Sequence, residues 1–152
     1  MASNEAAESA ARHHDSGFNC AESVLAGLAE AVGIPGAVVS AATGFGGGIG
    51  RRGDTCGALT GAVIAVGLKC GRTSPGEKEL YERIQRIAAR LQEEFAGAHG
   101  SVYCRDLIPY DLRDPAQLAE YRRDAATRNK CRDFVMTAAR TAARLLEAGP
   151  GA

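Results

Sequence analysis

Residues 56–71 read CGALTGAVIAVGLKCG, and how this stretch folds decides the architecture. Ala58 to Leu68 is roughly the longest apolar run in the chain. It is too short to cross a bilayer, which takes about 20 apolar residues. A buried core helix remains. Gly57, Gly61 and Ala65 recur every four residues, which puts them on one helical face. A stripe of such small side chains lets a second helix lie close against it. The helix is predicted to start near Asp54 or Thr55, either of which can cap it, and to run to Gly71.

Working outward, the helical signal continues and the strand signal is nearly absent. Residues from about 4 to 14 are rich in Ala and Glu and predict a first helix ended by Gly17. In "NCAESVLAGLAEAVG", Asn19 and Glu22 make a capping box, with Val24, Leu25, Leu28 and Val32 on one face and a stop at Gly33 and Pro35. A short helix is expected over residues 36–42. The glycine-dense segment 44–53 reads as irregular backbone that visits positive φ. In "SPGEKELYERIQRIAARLQEEF", Ser74 caps, Pro75 takes the first helical position and Glu77 completes the box. Leu80, Ile84, Ile87, Leu91 and Phe95 give that helix its apolar face, and Gly97 and Gly100 end it. Ser101 is expected to cap a short helix over "SVYCRDLI". Asp114–Pro115 opens another, through about Ala126. The last helix runs from about Lys130 to Glu147, capped by Asn129 or Thr127 and stopped by Gly149 and Pro150. The expected fold is all-α: a compact Ala/Gly-rich helical bundle with a glycine-rich loop, one domain over residues 1–152.

Composition limits the function. Formal net charge is zero over 152 residues. A neutral chain lacks the basic surface that nucleic acid requires. The densest basic group, Arg122, Arg123, Arg128, Lys130 and Arg132, has Asp124 and Asp133 among it and reads as a solvated face. The N-terminus is polar and acidic, unlike a signal peptide, so a cytoplasmic protein without membrane insertion is expected. Thiols stay reduced there, and the five cysteines need a purpose other than structural disulfides. His13, His14 and His99 read as exposed, non-ligand residues.

Four of the thiols fall at predicted helix starts. Cys20 follows its cap. Cys56 stands one or two residues past Thr55 or Asp54, Cys104 three past Ser101, and Cys131 two past Asn129. A helix N-terminus offers unpaired N–H groups and partial positive charge, which should make these thiols more acidic than a free cysteine. Cys70, at a helix C-terminal end, should be a poor thiolate and serve as a small apolar side chain. No C-x-x-C pair occurs, so any joint site must be assembled by the tertiary fold.

The segments Phe18-Asn19-Cys20-Ala21-Glu22, "GFGGGIGRRGDTCGALTG", Tyr103-Cys104-Arg105-Asp106-Leu107 and Cys131 resemble the redox-active family labelled C-GCAxxG-C-C. Here the hexad is Cys56-Gly57-Ala58-Leu59-Thr60-Gly61, with Cys and Gly exchanged relative to the label. The resemblance spans about residues 5–147. It carries the family's four cysteines onto Cys20, Cys56, Cys104 and Cys131 and leaves Cys70 outside. It implies redox activity, and a related domain goes with an iron–sulfur centre in split-Soret cytochromes.

The function expected first is therefore electron transfer, with those four thiolates as redox-active groups and metal ligands of an iron–sulfur cluster. Gly46, Gly47, Gly48, Gly50 and Arg51 would form the cofactor-binding loop. Its backbone N–H groups would approach the sulfurs, and Arg51 and Arg52 could add positive charge. The alternative is a metal-free protein that cycles two of the thiols through a disulfide. A structural zinc with four cysteine ligands would use the same residues. Gly48 to Gly53 also fits G-x-G-x-x-G, but no strand precedes it, so nucleotide binding is set aside. The expected partner is an electron-transfer or thiol protein, and a second copy of the chain is an allowed one.

Overall fold

The structure, a computed structural model, describes residues 1–149. Among these the fold is all-α. Seven α-helices, α1 (Ala2–Asp15), α2 (Cys20–Val32), α3 (Gly57–Cys70), α4 (Lys78–His99), α5 (Cys104–Leu107), α6 (Pro115–Arg123) and α7 (Ala125–Glu147), join a 3-10 helix at Val39–Phe45. The only strand-like feature among the described residues is an isolated antiparallel bridge between Thr55 and Tyr103. None of the described helices is long and apolar enough to cross a membrane. Pro150, expected to help stop the last helix, lies outside the described residues.

Helix α2 is central, packed against α1, α3 and α7. Small residues set these distances. Ala6, Ala7, Ala10 and Ala11 of α1 are fully or almost fully buried. A Cβ on Gly27 would stand 2.5 Å from the Ala10 nitrogen. On α3, a Cβ on Gly61 would collide with the Ala21 carbonyl oxygen and lie 2.9 Å from the Ala21 Cα. Both crossings bring backbone to backbone, which only glycine permits. Around them Leu25, Leu28, Leu59, Ile87, Leu91 and Phe95 are buried. Burial of each such side chain contributes about 1.5–3 kcal/mol.

Several predicted helix ends move. The capping box at Asn19 is present, with Glu22 N–H donating to Asn19 Oδ1 at 2.9 Å and Asn19 N–H to Glu22 Oε1 at 3.1 Å. The box at Ser74 is half formed. Glu77 accepts from Thr73 and Ser74 N–H at 2.8 Å each, but α4 begins only at Lys78. Gly76 explains this, since glycine costs a helix about 1 kcal/mol relative to alanine. The short helix predicted over 36–42 forms as the 3-10 turn three residues later. Helix α7 begins earlier than predicted, because Asp124 rather than Asn129 or Thr127 caps it, accepting from Thr127 N–H at 3.1 Å. His99 is not exposed. It packs between Phe95 and Phe134, both ring centroids at 4.8 Å, and meets Thr137 Oγ1 at 3.0 Å. His13, also part-buried, pairs with Glu30 at 2.8 Å.

Candidate functional site: a cavity lined by four cysteines

Cys56 and Cys104 are brought together by the Thr55–Tyr103 bridge. Cys56 N–H donates to Val102 O at 2.8 Å, Cys104 N–H to Asp54 O at 2.8 Å, and Arg105 N–H to Gly53 O at 3.1 Å. This short antiparallel pairing lays the residues before α3 alongside those before α5. Nothing in the hydrophobic pattern predicts so brief a pairing. It also moves the expected caps. Cys56 is itself the residue before α3, and Tyr103, not Ser101, precedes α5. Asp54 and Thr55 are occupied by the bridge. The Ser101 hydroxyl donates to Asp106 at 2.8 Å and accepts from Tyr103 N–H at 3.1 Å.

Cys20 reaches the same place because Gly57 has no side chain. A Cβ on Gly57 would stand 3.3 Å from the Cys20 Cβ and 3.2 Å from the Ala21 nitrogen. Cys131 arrives from a different position than predicted. It is the seventh residue of α7, in the second turn rather than the first. The four sulfurs line one cavity of about 620 Å³. Cys56 and Cys131 are buried, Cys20 and Cys104 half-buried. Cys70 lies away from it, at the far end of α3, with its thiol donating to Val66 O at 3.4 Å.

The acidity of three of these thiols overturns the expectation drawn from helix ends. Burial pushes Cys56 up to about 12, even though it faces the N–H groups of Ala58 and Leu59. Burial, then the nearby Cys131, pushes Cys104 up to about 11. Cys20 is raised because its thiol donates a hydrogen bond to Cys131, and burial adds to this. Only Cys131 is lowered, to about 7, by accepting from the Cys20 thiol and then from the Tyr121 hydroxyl. Desolvation thus exceeds the helix-end effect, and hydrogen-bond donors decide which sulfur carries charge. Tyr121 went unnoticed in the sequence. Its hydroxyl lies 3.5 Å from Cys131 Sγ, and burial foremost raises its own pKa.

The glycine loop is a closed turn. Gly47, Gly48, Ile49, Gly50 and Arg51 all have φ between 59° and 71°. At Ile49 and Arg51 this conformation costs about 1–2 kcal/mol each. Gly50 N–H donates to Gly44 O at 2.9 Å, Gly53 N–H to Gly47 O at 3.1 Å, and Asp54 N–H to Gly48 O at 2.9 Å. The N–H groups of Ile49, Gly50 and Arg51 are therefore engaged by loop carbonyls and not offered to the sulfurs. Gly46, Gly47, Gly50 and Arg51 line the cavity, whereas Gly48 packs against the Asp54 backbone. His14, expected to be exposed, is part-buried on the cavity wall, and burial lowers its pKa.

Among the described residues no three Cys, His, Asp or Glu side chains group tightly enough to hold one metal ion. A tetrahedral zinc with Zn–S bonds of about 2.3 Å needs sulfurs within about 4 Å of one another. Four cysteines lining one cavity are the donor set that an iron–sulfur cluster takes.

Over residues 18–145 the sequence matches the family described as "Putative redox-active protein (C_GCAxxG_C_C)". It is also similar to an uncharacterized protein of Archaeoglobus fulgidus, 32% identical over 99 residues. The match covers 60% of this chain and 66% of the relative, just under two thirds of that protein's length. No solved structure matches the chain.

Proposed function

The chain belongs to this redox-active four-cysteine family, and on that footing we propose that Cys20, Cys56, Cys104 and Cys131 hold an iron–sulfur cluster for electron transfer. The observation that carries this reading is the shared cavity, to which each sulfur comes from a different part of the chain. Such a cluster supplies one-electron exchange at a potential set by its surroundings. The protein's own part is positioning and exclusion of water. The capping box fixes Cys20 at the first residue of α2. The Thr55–Tyr103 bridge fixes Cys56 against Cys104. Ile108, Leu112 and Phe134, all buried, close the apolar side of the cavity. The Tyr121 hydroxyl stands within hydrogen-bonding distance of the Cys131 sulfur, at 3.5 Å. The cytoplasm, where thiols stay reduced, suits this ligand set.

Anaerobic purification with an absorption spectrum and analysis for iron, sulfide and zinc tests the proposal. Iron and sulfide with visible charge-transfer bands are expected. One zinc per chain and no iron would overturn it.

A second reading rests on Cys20 and Cys131 lining the same cavity, where each thiol shifts the acidity of the other. In metal-free protein this pair would form a disulfide. Two thiols would give up two protons and two electrons to an external thiol–disulfide partner. Metal-free protein in which mild oxidation removes the thiols of Cys20 and Cys131, and spares Cys56 and Cys104, selects this reading.

A further inference from the structure

The basic residues that the sequence presents as a solvated face divide in two. Arg122, Arg128 and Arg132 line the cysteine cavity, whereas Arg123 and Lys130 do not. Arg51 joins them from the glycine loop. Against these four guanidinium groups the lining holds one carboxylate, Asp15. It is bound by Arg132, through Nε at 2.9 Å and Nη2 at 3.1 Å. Arg51, Arg122 and Arg128 have no ion-pair partner among the described residues. They come from a loop, α6 and α7, so their convergence is a product of the fold and not of one helix face. Arg128 lies three residues before Cys131 on α7, which puts its charge and that sulfur on the same side of the helix. In a chain of zero net charge this is a local concentration of positive charge over a cavity of about 620 Å³. Small-molecule sites span about 300–1,000 Å³.

We propose that the mouth of this cavity binds a small polyanion, bearing phosphate or carboxylate groups, through Arg51, Arg122 and Arg128. The guanidinium fork matches both groups with paired hydrogen bonds. The bound anion would sit beside the sulfurs. This names a ligand class for the same cavity as the proposed function, but anion binding does not depend on what the sulfurs carry. His14, part-buried on the cavity wall, has its pKa lowered by burial foremost, against the opposing charge of Asp15, and its imidazole would offer the anion a further hydrogen-bonding group.

The test is calorimetric titration at low ionic strength with inorganic pyrophosphate and with citrate, and with glycerol as the neutral control. It uses protein purified anaerobically, with its iron content measured. Saturable binding of at least one anion is expected, and the preferred one separates phosphate from carboxylate chemistry. Arg122→Ala and Arg128→Ala should each weaken it about tenfold, the worth of one charge-assisted contact. Arg123→Ala and Lys130→Ala should leave it unchanged, with circular dichroism confirming that all four variants fold. Absence of saturable binding overturns the proposal, as does equal weakening by all four substitutions. If the arginines only offset cluster charge, Arg128→Ala will shift the redox potential of a protein that binds no anion, and the proposal fails. Iron-free protein that still binds the anion would sink the cluster and leave this inference standing.

Discussion

The two ends of α3 are built from the same residue types and do opposite things. At the front, Cys56 is 4% exposed on a shared cavity, and Gly57 and Gly61 press on the backbone of α2. At the back, Cys70 bonds only to its own helix, and a Cβ on Gly67 would meet nothing within 4 Å. A cysteine and a glycine therefore carry no fixed meaning on a helix. Their meaning comes from what the neighbouring element brings to that end.

The comparison breaks first at the thiols. Cys56→Ser should abolish most of the iron and the visible bands, whereas Cys70→Ser should keep both. Equal loss in the two variants would show that the ends are not distinct. Next comes Gly61→Ala, which drives a methyl into the Ala21 backbone. A destabilisation of about 3 kcal/mol is expected, read as a fall in Tm of roughly 8 °C. A smaller effect concerns the cavity itself. Tyr121→Phe removes a donor to the Cys131 sulfur and should lower the redox potential by roughly 50 mV, since hydrogen bonds to sulfur favour the more negative reduced state. An unchanged potential would assign Tyr121 to packing alone. In the loop that leads to Cys56, Ile49→Gly relieves a β-branched residue at φ 63°. It should stabilise the fold by about 1 kcal/mol in chemical denaturation. Last, Gly67→Ala at the open back of α3 should add about 0.5–1 kcal/mol by helix propensity. A loss there would mean that another chain covers this end.

Much of this was legible in the residues. The four-residue recurrence of Gly57, Gly61 and Ala65 predicts a close helix crossing, and Gly61 meets Ala21 there. The apolar face of α4 and the capping box at Asn19 are present as read, because both depend on residues near each other in sequence. The predicted start of α7 was wrong because Asp124 accepts from both Thr127 and Tyr110. The second of these bonds crosses from another segment. The predicted acidity of Cys20, Cys56 and Cys104 failed for a related reason. Helix-end charge can be read from position, but desolvation depends on what closes over the sulfur.

The sequence alone determined an all-α chain, with cysteines at or near several helix starts and a spare one at a helix end. Periodicity, caps and glycine placement are local, and local forces set them. Only the tertiary structure decided that Cys20, Cys56, Cys104 and Cys131 share a cavity, that Tyr121 reaches it, and that Arg51, Arg122 and Arg128 line it. Those arrangements rest on a short antiparallel bridge and on backbone contacts at Gly57 and Gly61. Both join residues far apart in sequence, and no pattern along the chain records their distance.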